Sequence, residues 1–213
     1  MTAVGDLLLV AVLLLGLALL GSSRLSTCIR LVALQGALIS LLPAVLHGLS
    51  LGMHALVLVL APLVAKGALI PWLLSRAIRE AEVRREVEPF IGYTASLLLG
   101  ALLTGAGFMV AARLPSLGGV SGLLPACALA TVLVGGLLMV SRRKAVTQVI
   151  GYLVLENGIF LFGQSLATEL PALVELGVLL DLLVGVFVMG IAIFHINREF
   201  DSIAVHELTA LRD

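Results

Sequence analysis

Charge is scarce in this sequence. Only 12% of its 213 residues are Asp, Glu, Lys or Arg, while 61% are hydrophobic. A soluble domain cannot hide that much apolar surface, which excludes the ordinary globular classes. The thirteen basic and thirteen acidic residues cancel, which says little because charges here act through their placement; no nucleic-acid partner is expected. Cysteine is scarce too: Cys28 and Cys127 are too few for the four thiolates that usually hold an iron–sulfur cluster. No phosphate-binding glycine loop, dinucleotide fingerprint or HxxxH-type metal pair occurs. His47, His54, His195 and His206 are scattered at or beyond the ends of the apolar runs. We therefore expect no catalytic centre, no metal and no cofactor on this chain.

What is present is a series of long apolar runs. Mean hydropathy is +1.19, and the runs reach the roughly 20 residues that cross a bilayer. Seven spans are predicted, at 4–22, 27–47, 53–76, 90–113, 119–140, 145–166 and 171–196. Within lipid only a helix satisfies each backbone group locally, so the fold class is all-α, a polytopic membrane protein. The 22 glycines fit, because small residues let such helices approach closely. Polar breaks separate the spans, the longest being SRAIREAEVRREVEP at 75–89, and the amphipathic tail NREFDSIAVHELTALRD leaves the lipid. MTAVGD at the start carries an acid and no base, which argues against a cleaved signal peptide.

Lysine and arginine placement tests the count. Seven spans put Arg24, Arg30, Arg76, Arg79, Arg84, Arg85, Arg142, Arg143, Lys144, Arg198 and Arg212 on one side. Arg113 alone lies opposite, and Lys66 is inside a span. The bias places the C-terminus in the cytoplasm and the N-terminus outside; the expected location is the cytoplasmic membrane, as a multi-pass protein. Arg142, Arg143 and Lys144 are read as topology signals that meet anionic lipid.

Four ionisable residues interrupt the apolar runs: Lys66, Glu156, Glu175 and Asp181. A charge near the bilayer centre costs roughly 2.5–3.5 kcal/mol on insertion scales, and such residues mark ion or proton routes. The bland alternative is a static counter-ion or a protonated acid hydrogen-bonded for structure. Glu156 lies about eleven residues, roughly 16 Å, from either end of its span, too deep to reach water by bending. Asn157 points about 100° away and is expected to bond another helix, apart from the contact of Glu156. Glu175 and Asp181 are separated by roughly 9 Å along the axis and about 120° around it, two stepping stones on different faces. Lys66 is too deep to snorkel fully, and its depth matches that of Glu156, which allows an ion pair. Pro71 cannot donate to the carbonyl of Gly67, nor Pro62 to that of Leu58, so a kinked, partly hydrated helix is expected around the lysine.

Internal repetition is faint. A shift of 119 residues lays Arg79 and Glu80 on Arg198 and Glu199, and a shift of 121 lays Gln35 on Glu156. The organisation read from this is a first three-helix unit with its charged cytoplasmic loop at 1–89, then an extra transmembrane helix at 90–113. A second three-helix unit follows at 114–200, and a cytoplasmic tail at 201–213.

GYLVLENG at 151–158, ELPALVELGVLLD at 169–181, HELTALRD at 206–213 and AKGALIP at 65–71 together resemble component E of the hydrogenase-4 and formate hydrogenlyase family. The C-terminal half is similar to the small three-helix subunit of respiratory complex I, whose helices carry proton-conducting glutamates. Glu156 falls at the first such position; Asp181 lies near the second with a different spacing to His195. The resemblance implies a non-catalytic subunit in the membrane arm of a nickel–iron hydrogenase or related energy-converting complex. The nickel–iron centre and iron–sulfur clusters would sit on partner subunits. Antiporter-like membrane subunits, other membrane-arm subunits and a soluble arm are the implied partners, with Glu156, Asp181, Lys66 and Glu175 moving protons or sodium. Two other readings stay open: a small subunit of a multi-subunit cation/proton antiporter, and a purely structural assembly subunit.

Overall fold

The computed structural model describes residues 3–47, 53–80, 89–114 and 122–166. All regular structure among them is helical, and six helical segments there are long and apolar enough to cross a membrane. They are α1 (Ala3–Gly21), α2 (Leu25–His47), the broken third span, α5 (Tyr93–Ala111), α6 (Leu123–Ser141) and α7 (Ala145–Ser165). The third span comprises α3 (Met53–Val64), a π turn at Ala65–Leu69 and α4 (Ile70–Glu80). The first six expected spans thus stand close to their sequence bounds. The seventh, with Glu175 and Asp181, lies outside the described residues.

The expected kink takes a specific form. At the π turn the Ile70 amide donates to the Ala65 carbonyl, one residue further back than in an α-helix. Pro71, which has no amide to give, follows at once. A single widened turn of this kind is a recognised way to accommodate a break in the helical ladder.

Helix α6 packs most extensively on α7, and also against α5 and α1. Glycines set that first contact: a Cβ on Gly151 would lie 2.6 Å from the Met139 amide nitrogen, and one on Gly158 2.6 Å from that of Val132. Gly135 meets Leu155 backbone in the same way. The two helices therefore touch backbone to backbone, the close approach that small residues permit in lipid. Helix α2 links the rest, contacting α1, α7 and the broken third span.

The buried core is divided by depth. One apolar cluster, including Leu20, Ile29, Val32, Leu74, Leu138 and Leu153, fills the half nearer the basic ends of the helices. A second, including Leu9, Val12, Ile39, Cys127 and Leu161, fills the opposite half. Between them in sequence on α2 and α7 fall Gln35, Glu156 and Asn157, all buried. A polar layer thus lies between the two apolar clusters.

Arg142 corrects the reading of the SRRK cluster as lipid-facing. It is 1% exposed, its Nη2 donates to the Leu20 carbonyl at 2.5 Å, and its guanidinium stacks 4.5 Å from the Tyr93 ring centroid. The last carbonyls of a helix lack intrahelical partners and carry partial negative charge, so a guanidinium suits the end of α1. One side chain thereby ties α6 to α1 and to the start of α5. Arg143 is exposed and lies over Phe90, as a surface cation would.

Candidate functional site

Lys66 enters the bundle from the π turn and is 5% exposed. Its Nζ donates to Glu156 Oε1 at 2.8 Å and to Asn157 Oδ1 at 3.0 Å, and lies 5.0 Å from the Phe160 ring centroid. Glu156 and Asn157 are 1% and 2% exposed. The ion pair that matching depth allowed is formed.

Asn157 was expected to bond apart from Glu156, and this is overturned. The 100° step separates where two side chains leave a helix. It does not separate where they end when a third group sits between the helices, and an ammonium has three donors to share. The interhelical hydrogen bond expected of Asn157 is present: its Nδ2 donates to Gln35 Oε1 at 3.2 Å. Gln35 Nε2 in turn donates to the Val12 carbonyl at 3.0 Å.

The direction of this chain follows from its first member. An ammonium only donates, so Asn157 presents its oxygen to Lys66 and its amide nitrogen to Gln35. Gln35 must then accept with its oxygen and donate onward to α1. Four spans are joined through one line of hydrogen bonds that starts at a buried ion pair. Buried polar networks are strong when every member has a partner, and the low dielectric strengthens each bond.

Local sequence explains why the lysine reaches this point. Gly36 on α2 faces the root of the side chain: a Cβ there would stand 2.7 Å from Lys66 Cβ. Only glycine lets α2 and the π turn come this close.

A small cavity of about 10 Å³ adjoins the pair. Val32, Ile70, Pro71 and Leu153 form its apolar wall, and Lys66, Glu156 and Asn157 its polar end. Space of about 10–15 Å³ is the minimum for one water.

Of the four candidate residues, the structure brings together Lys66 and Glu156. Asp181 and Glu175 fall outside the described residues. Gln35 was noted in sequence only as the repeat counterpart of Glu156, and its place beside Asn157 was not foreseen. Among the described residues no three His, Cys, Asp or Glu side chains converge as a metal site would need. Cys28 and Cys127 are both buried, one in each apolar cluster.

Comparison with known proteins places this chain in a family. The chain is 35% identical, over 99% of its length and 94% of the other protein's, to an uncharacterized protein of Mycobacterium tuberculosis. It is 33% identical to hydrogenase-4 component E of Escherichia coli K12, over 70% of this chain and 69% of that one. The same component of Shigella flexneri matches equally. No family model and no solved structure matches. With one third of positions identical across more than two thirds of both chains, this protein belongs to the hydrogenase-4 component E family.

Proposed function

We propose that this chain is a non-catalytic membrane subunit of a hydrogenase-type energy-converting complex, in which Lys66 and Glu156 take part in moving protons across the membrane. The observation that carries the reading is the buried pair at the centre of the bundle. A carboxylate facing one ammonium is a group that can take up a proton and give it up again. Asp181 and Glu175 on the seventh expected span are the proposed next sites. Antiporter-like membrane subunits, other membrane-arm subunits and a soluble arm holding the nickel–iron centre and iron–sulfur clusters are the proposed partners. The cytoplasmic membrane is the proposed location.

The competing view is that the pair only holds helices together. A neutral pair distinguishes the two. Glu156→Gln alone leaves an uncompensated ammonium, and breaking one side of a buried pair costs about 3–5 kcal/mol. Lys66→Met with Glu156→Gln removes both charges and restores neutrality. In membrane vesicles carrying the whole complex, the double variant is expected to assemble and pass electrons while losing turnover-linked acidification, read with a pH-gradient dye. Pumping by the double variant at the parent rate would leave only the structural role.

A further inference from the structure

We propose that the small cavity beside Glu156 is a one-water site through which this carboxyl exchanges protons with the cytoplasmic side, and with that side alone. The inference rests on the proton-carrying role of Glu156 and adds the side from which it is reached.

Three observations converge. First, the cavity lies to one side of the ion pair. Leu153 is one helical turn before Glu156 on α7, Ile70 and Pro71 one turn after Lys66, and Val32 one turn before Gly36 on α2. With the orientation set by the basic residues, each of these steps leads toward the cytoplasm. Second, the size and lining suit water. The volume of about 10 Å³ admits a single molecule, and Lys66, Glu156 and Asn157 supply polar partners, within the two to four that a buried water makes. Third, an aromatic ring borders the pair on the opposite side. Phe160, one turn outward of Glu156, stands under the Lys66 ammonium at 5.0 Å. Beyond it Val12, Ile39, Cys127 and Leu161 are at most 1% exposed.

The chemistry is a plain transfer. A hydronium or a protonated water in the cavity gives its proton to a Glu156 carboxylate oxygen and remains there as water. The ammonium of Lys66 keeps its own protons. In the reverse step the carboxyl returns the proton to the same water.

Silver ion is small enough to probe such a site, and it binds thiolates. In a chain with Cys28→Ser and Cys127→Ala, Leu153→Cys places one thiol in the cavity wall. Everted and right-side-out membrane vesicles holding the full complex are exposed to silver, quenched and denatured, then treated with a polymer maleimide that shifts the chain on a gel. Silver from the cytoplasmic face is expected to abolish the shift, and silver from the outer face to leave it intact. Val32→Cys, on another wall of the cavity, should behave alike and serves if the first variant fails to fold. Ile39→Cys, one turn outward of Gln35, should keep its shift from both faces. Protection of Leu153→Cys or Val32→Cys from the outer face, or from neither face, overturns the proposal, as does outer-face protection of Ile39→Cys. The two readings fail separately: silver reports access whether or not the Lys66/Glu156 double variant pumps.

Discussion

Gly36 is a single residue on which the central ion pair depends. An added Cβ would stand 2.7 Å from Lys66 Cβ, and neither atom is the free end of a flexible side chain. Gly36→Ala is therefore expected to push α2 and the π turn apart and to lower turnover-linked acidification toward the level of the neutral pair, while an immunoblot still finds the chain in the membrane. Gly136→Ala is the control: nothing lies within 4 Å of its added methyl, so pumping should hold. Lys66 and Glu156 were legible in sequence because an ionisable residue in an apolar run has few explanations. Asn157 was misread because a helical wheel records where side chains start, and three donors on one ammonium decide where they meet. Arg142 was misread for a similar reason. In sequence SRRK looks like an exposed loop, and the unbonded carbonyls at the end of α1 that draw the guanidinium inward become visible only once α1 and α6 are side by side.

Between elements, the α6–α7 contact is the one built most closely. Three glycines bring backbone to within contact of backbone, so a side chain at any of them has nowhere to go. Gly158→Val is expected to lower the thermal unfolding midpoint of the purified complex, since overpacking a close interface costs about 1–3 kcal/mol or more. A midpoint equal to the parent's would mean that the two helices are free to separate. The pairing of α6 with α7 was partly readable, because SRRK is too short a connection for anything but an antiparallel neighbour. The π turn was readable only as a kink. Pro71 announces that a backbone bond is missing, but whether the ladder bends, opens or widens depends on what the helix packs against. Here the close approach of α2 at Gly36 and the pull of Glu156 on Lys66 come with a widened turn.

For the whole molecule, the long apolar runs carried most of the architecture. Six spans lie where hydropathy placed them, because crossing a bilayer demands length and apolarity that a sequence states openly. How the spans are arranged around one another was not legible, since lipid-facing and helix-facing positions are both apolar and differ mainly in residue size. Orientation is open to direct test. A reporter that is active only in the cytoplasm should work after Asp213 and fail before Met1. The opposite pattern would invert the map, including the side of the water-sized cavity.

Ninety residues separate Lys66 from Glu156 along the chain, and a ribosome meets them in that order. At typical synthesis speeds the counter-ion follows about 5–20 s behind the lysine. For that interval the third span must be held at the membrane with an uncompensated ammonium. Its best window is also among the least apolar of the six, with a mean hydropathy of 1.3. Its first support is α2, already inserted, whose Gly36 admits the base of the lysine. Stable burial waits for the arrival of α7. A chain that stops short of Glu156 is therefore expected to hold its third span less firmly than the full chain does, because the ammonium has no carboxylate to face.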